Sequence, residues 1–335
     1  MGRPVSPAEL LVRALREPDT ATGLDGDNWQ AVIAVARAEQ LLGTLASRLA
    51  GLALPLAVRA ILADAAATAE QGRIAALWDA EMVRRALAPL GCAVVLLKGT
   101  AFVAAGLDAG RGRSIGDTDI LVPRAALEGV EVALLAAGWE WVKPDAYDDG
   151  YYRRWMHELP PLIHRERDRM VDVHHTILPP TARITPDADA MIADAVPLDG
   201  GLSVPAPADM ICHGAAHLFA DGDLSGGLRN LWDLHCLLAE FGVEGLRARA
   251  GRHGLWREVH RAARLANALF GTTIPDAWRV RSPGDALFRR RLLARDGWGR
   301  GTRPATRFGF YLRSHWMRMP PLLLARHLWT KWRRR

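Results

Sequence analysis

The chain has 335 residues, 50% apolar and 24% charged, with 31 Gly and 20 Pro. That balance suits packed globular cores and excludes a collagen repeat, a coiled coil and wholesale disorder. Net charge is +6, yet residues 297–335 hold ten basic and no acidic side chains, so residues 1–296 stand at −4 and a nucleic-acid partner is not expected.

No apolar run reaches the roughly 18 uncharged residues of a membrane span, and the opening MGRPVSPAEL lacks the apolar centre of a secretory signal. Cys92, Cys212 and Cys236 are odd in number, lack CxxC spacing and sit among apolar neighbours. Reduced core thiols and a cytoplasmic location are therefore expected.

Apolar residues at three- and four-residue spacing predict helices over 8–16, 29–50 and 55–87, so residues 1–90 form an N-terminal helical region. The pattern changes after Gly91. Residues 92–97 and 120–122 predict buried strands, the second followed by Pro123 and an amphipathic helix to Ala137. Residues 139–142 predict a third strand, and 161–164 with 170–174 predict a hairpin around the polar turn 165–169. Residues 91–177 thus read as a small mixed-sheet α/β core.

Six prolines mark 178–207 as a connector with one short helix near 188–195. Helical spacing resumes over 208–219, 227–241, 243–252 and 255–270, giving a C-terminal helical region, 208–296. The remaining 297–335 is a basic, Trp- and Arg-rich tail. Its Trp316, Leu322, Leu323, Leu324, Trp329 and Trp332 leave three readings open, a helix docked on the body, a segment against an anionic membrane surface, or a contact to nucleic acid.

Three carboxylates in the core carry the chemistry. Asp117 and Asp119 lie two apart on a predicted strand and so share a face, and Asp172 sits between Val171 and Val173 on a neighbouring strand. A carboxylate buried in an apolar strand is costly without a cation, and three together favour a hard divalent ion such as Mg²⁺. Upstream, Lys98-Gly99-Thr100 ends a strand and opens a helix, a place where backbone N–H groups approach an anion. Lys98 is one of three lysines among 43 basic residues, and Arg113 is a second candidate phosphate clamp.

The run LLKGTAF, then RSIGDTDILV and later VDVHHTIL, resembles the uncharacterised nucleotidyltransferase family of the DNA polymerase β-like superfamily. Lys98, Gly99, Arg113, Asp117, Asp119, Asp172 and His174 fall on that family's pattern, and a weaker likeness runs through His213, His217, Arg229 and Asp233. Where the wider superfamily has Gly-Ser at the first turn, this chain has Gly99-Thr100. The resemblance implies transfer of a nucleoside monophosphate from an NTP, ATP foremost, to a hydroxyl of a small molecule, peptide or protein, with two Mg²⁺ ions. Asp117 and Asp119 would hold both ions, Asp172 would hold one and act as base, and Lys98, Gly99, Thr100 and Arg113 would bind nucleotide. Two alternatives remain, a non-catalytic binding module of the same fold and a terminal nucleotide adder suggested by the basic tail.

His213 and His217 have the spacing of a HExxH zinc site but lack its glutamate. With His174 and Arg229 they are candidate contacts to acceptor or nucleotide, against the alternative of satisfied core side chains. Trp139, Trp141 and Trp155 are read as core rather than base-stacking residues.

Overall fold

A seven-stranded mixed sheet flanked by helices forms the centre of the computed structural model, which describes residues 5–142, 146–280, 282–320, 324 and 329. The N-terminal third is helical, as expected. Helix α1 (Pro7–Arg16) starts from a capping box: the Ser6 hydroxyl accepts from Glu9 N, and the Glu9 carboxylate accepts from Ser6 N at 3.0 Å. Its Leu11 and Leu15 are buried.

The helix expected over 29–50 is two helices, α2 (Gly26–Ala38) and α3 (Leu42–Arg48), broken where Gln40 takes φ 55°. The physical reason lies at Glu39, whose buried carboxylate accepts from Leu228 N at 3.1 Å and from Arg295 Nε at 2.7 Å. Those distant bonds override local periodicity. Helix α4 (Leu56–Leu87) runs 32 residues, buries Leu62, Ala76, Ala80 and Val83, and lies under the sheet.

Strand β1 is shorter than expected, Val95–Leu96, although Leu97 N still donates to Asp119 O at 2.9 Å. Helix α5 (Lys98–Ala104) follows at once, and β2 (Asp117–Leu121) returns antiparallel to β1. Helix α6 (Leu127–Ala136) and β3 (Trp139–Trp141) match expectation. Helix α7 (Ala146–Trp155) was not legible in the spacing. Strands β4 (Leu162–His164) and β5 (Met170–His174) form the expected hairpin, and β5 runs parallel to β2 with Asp119 opposite Asp172.

The Pro-rich stretch yields the expected short helix, α8 (Ala188–Ala193), and also a hairpin, β6 (Val196–Pro197) and β7 (Ser203–Val204). Strand β7 pairs parallel to β1, so the sheet order is β3-β4-β5-β2-β1-β7-β6. Proline is tolerated in β6 because this is an edge strand.

Helices α9 (Pro207–Ala216), α10 (Gly227–Phe241), α11 (Leu246–Arg252) and α12 (Trp256–Phe270) pack as a group, with a π-helical turn at His217–Asp221 after α9. Helices α13 (Asp285–Leu292) and α14 (Pro304–Arg318) complete the described chain. Helix α14 lies inside the basic tail and docks on the body: Phe310 is buried, and Arg313 Nη2 donates to Phe219 O at 2.6 Å. Its Phe308, Tyr311, Leu312 and Trp316 are exposed. Leu322, Leu323 and Trp332 lie outside the described residues. No described helix is long and apolar enough to cross a membrane. The three cysteines are free, with Cys212 and Cys236 buried.

The turn carrying Arg113 is held against α3 by two glycines. A Cβ on Gly43 would sit 2.5 Å from Gly112 O, and one on Gly112, at φ 62°, would overlap Gly43 backbone and lie 2.7 Å from Thr44 N. Both neighbours are backbone and have no rotamer to yield. Gly112→Ala is therefore expected to destabilise the fold by about 2 kcal/mol or more, from left-handed strain plus overlap. Urea midpoints check this; an unchanged midpoint would show that the turn shifts freely.

Candidate active site

Alternation along β2 sends Asp117 and Asp119 to one face, and parallel pairing sets Asp172 of β5 beside Asp119. One carboxylate oxygen from each of the three lies within 4.8 Å of the others. Asp119 is almost fully buried, and Asp117, at the strand entrance, is partly exposed.

Crowding of like charges in a buried place has the expected electrostatic mark. Burial, then Asp119 and Glu158, push the Asp172 carboxyl up to about 7. Burial and then Asp119 also raise Asp117. At Asp119 burial acts upward as well, but Lys98 and His174 outweigh it and hold the group below the ordinary carboxylate range. Three hard oxygen donors, two of them with raised carboxyl pKa values, fit a divalent cation of the Mg²⁺ type.

Cations line the same cleft. A cleft of about 460 Å³ is bordered by Gly99, Asp117 and Asp119 and by Lys98, Arg113, Arg229 and Arg295. Lys98 Nζ donates to Asp119 Oδ1 at 2.7 Å, and Lys98 itself takes φ 49° at the first position of α5. Arg113 lies across Gly99, where a Cβ would meet its side chain, with Cδ 3.2 Å away. Gly99 thus makes room for a guanidinium as well as for backbone approach.

Asp233 on α10 joins two of these cations. Arg113 Nη1 donates to its Oδ2, and Arg229 Nη2 donates to its Oδ1 at 2.5 Å. Arg229 Nη1 also donates to Thr44 Oγ1 at 2.5 Å, which links α10 to α3 and hence to the Arg113 turn. The Nε groups of Arg113 and Arg229 are buried with no hydrogen-bond partner among the described residues.

Thr100, His174, His213 and His217, also singled out in the sequence, converge on the same region. Thr100 is buried and spends its hydroxyl on Asp117 O at 3.2 Å. His174 Nε2 meets Asp119 Oδ1 at 2.9 Å. His213 and His217 border a smaller hollow of about 70 Å³ shared with Lys98 and Arg113, and burial holds both imidazoles below their ordinary values, His217 at about 4. Trp139 is buried edge-on against His164, whereas Trp141 is 40% exposed and donates from Nε1 to Glu131.

Four neighbours were not foreseen. Asn230 and Arg295 border the cleft, and His157 with Glu158 stands beside His174. Arg295 gives no local signal because its partner Glu39 is 256 residues away. His157-Glu158 directly precedes Leu159-Pro160-Pro161 at a strand entrance, a polar pair that spacing alone does not mark as special.

Comparison with curated proteins finds no match. Residues 25–271, which hold the acidic triad together with Lys98, Arg113 and Arg229, match the family described as uncharacterised nucleotidyltransferase, and the chain belongs to that family.

Proposed function

We propose that the protein transfers a nucleoside monophosphate from an NTP, ATP foremost, to a hydroxyl of a small molecule, peptide or protein, with Mg²⁺ as cofactor. One observation carries the reading: three carboxylates cluster on β2 and β5, and two of them, Asp117 and Asp119, border a cleft that Lys98, Arg113, Arg229 and Arg295 also line. Asp117 and Asp119 would hold two cations and Asp172 one of them. When bound, the cations neutralise the triphosphate and align attacking and leaving oxygens.

The chain's own groups do the rest. Arg113, whose Nε–H has no hydrogen-bond partner among the described residues, and Lys98 bind phosphate oxygens, and Gly99 lets the backbone of α5 approach. Asp172 takes the proton of the acceptor hydroxyl as that oxygen bonds to the α-phosphorus. The bond from that phosphorus to its bridging oxygen breaks, and pyrophosphate leaves. Family membership and the acidic cluster support the reaction class.

Incubation with each of the four NTPs and Mg²⁺ tests it through pyrophosphate release and the mass of candidate acceptors. Release by wild type and its loss in Asp117→Asn are the expected results. No release with any NTP across acceptors of all three kinds would count against the reaction. Lys98→Ala is expected to weaken NTP binding about 10-fold, the worth of one charge-assisted hydrogen bond. Unchanged affinity in the folded variant would remove Lys98 from the nucleotide site.

A second reading has its own observation. Lys98 Nζ already occupies Asp119 Oδ1 at 2.7 Å, so the ammonium can stand where a cation would bind. The protein would then hold a nucleotide without transferring it. Binding that ignores Mg²⁺, with no pyrophosphate released, distinguishes this module from the enzyme.

A further inference from the structure

His174 stands between two carboxylates. Its Nε2 is 2.9 Å from Asp119 Oδ1. Its Nδ1 is buried, has no hydrogen-bond partner among the described residues and lies 3.5 Å from Glu158 Oε2. His157 Nδ1 is likewise buried without a hydrogen-bond partner among the described residues. Buried ring nitrogens left unpartnered beside a carboxylate are costly unless something binds them.

A third donor completes the group. His157 Nε2 is 3.8 Å from the same Glu158 oxygen, and His157, Glu158 and His174 each offer a ligand atom within 4.8 Å of the others. Tetrahedral donors at Zn–N and Zn–O distances of roughly 2.0 to 2.1 Å are spaced about 3.3 Å apart, close to these separations. The backbone fixes the arrangement: His175 N donates to His157 O, and Leu159 N to Val173 O, both at 2.9 Å, so 157–159 is pinned alongside the end of β5.

We propose that His157, Glu158 and His174 form a transition-metal site, suited to Zn²⁺, separate from the aspartate triad. Two imidazoles and one carboxylate are a borderline donor set that selects Zn²⁺ over Mg²⁺. Three protein ligands leave a fourth position, and Glu158, 19% exposed in its side chain, is the side open to solvent. Asp119 meets the other ring nitrogen of His174 at 2.9 Å, the usual carboxylate–histidine–metal arrangement. The site does not depend on nucleotidyl transfer, because none of its three ligands belongs to the triad.

The test uses the full chain without an affinity tag, stripped with EDTA and titrated with Co²⁺ and then Zn²⁺. Wild type is expected to bind one Co²⁺ with the visible absorption of a low-coordinate site, displaced by one Zn²⁺. An Asp117→Asn/Asp172→Asn double variant should keep that signal. His157→Gln and the more exposed Glu158→Gln should each lose it, with Zn²⁺ binding weaker by at least about 100-fold, the upper end of what loss of an outer partner costs. Circular dichroism shows which variants are folded, and either one suffices. Wild type without the Co²⁺ signal overturns the site. So does a signal that survives Glu158→Gln or vanishes in the aspartate double variant.

Discussion

Asp172→Asn is expected to keep Mg²⁺-dependent NTP binding while transfer falls by about 10² to 10⁴, the contribution of a positioned general base. The argument rests on placement. Asp117 and Asp119 share β2 and lie at the cleft that contains Lys98, Gly99 and Arg113, whereas Asp172 reaches the cluster from β5 on the other side of Asp119. Two carboxylates remain for the cations when Asp172 is neutralised, and Asn keeps the volume. Asp117→Asn, by contrast, should weaken metal-dependent binding and transfer together, since it removes a donor on the nucleotide side. Calorimetric NTP affinity set against turnover separates the two. Near wild-type transfer by Asp172→Asn would make Asp172 a strand residue and leave the reaction without its base.

The acidic part of this site is legible in the sequence because it is local. Two residues apart on a strand means one face, and an Asp between valines on the next strand needs no further information to be suspect. The strands and most helices are legible for the same reason, their periodicity being carried by consecutive residues. What is not legible depends on distant partners. Glu39 breaks a helix in order to reach Leu228 and Arg295. Gly43 and Gly112 are unremarkable letters until α3 meets the Arg113 turn. The β6–β7 hairpin hides in a stretch whose six prolines argue for a connector, since two-residue strands carry almost no periodic signal. His157 and Glu158 are placed at His174 by pairing beyond the end of a strand, a register no spacing rule supplies.

The largest effect on stability is expected at Asp233. Its carboxylate is shared by Arg113 and Arg229, whose side chains are 14% and 4% exposed, and its own side chain is 7% exposed. Burying charges is offset only while they stay paired, and removing one partner of such a set leaves the other charge stranded, at a cost of about 3 to 5 kcal/mol. Here one deletion strands two guanidinium groups, each of which already has an Nε without a hydrogen-bond partner among the described residues, and Arg229 keeps its bond to Thr44. Asp233→Ala should therefore lower the unfolding free energy by that amount, seen as a lower urea midpoint with little change in slope. Replacing the buried set as a whole, with Arg229→Met and Asp233→Leu together, should recover part of the loss, because the stranded charge at 229 is removed along with its partner. The Arg113 turn would remain untethered from α10 in that double variant, so NTP affinity should stay low even as stability returns. A fall of under about 1 kcal/mol in Asp233→Ala would place the bridge among solvent-screened surface pairs. Full recovery of both stability and NTP affinity in the double variant would show that Asp233 does not position Arg113.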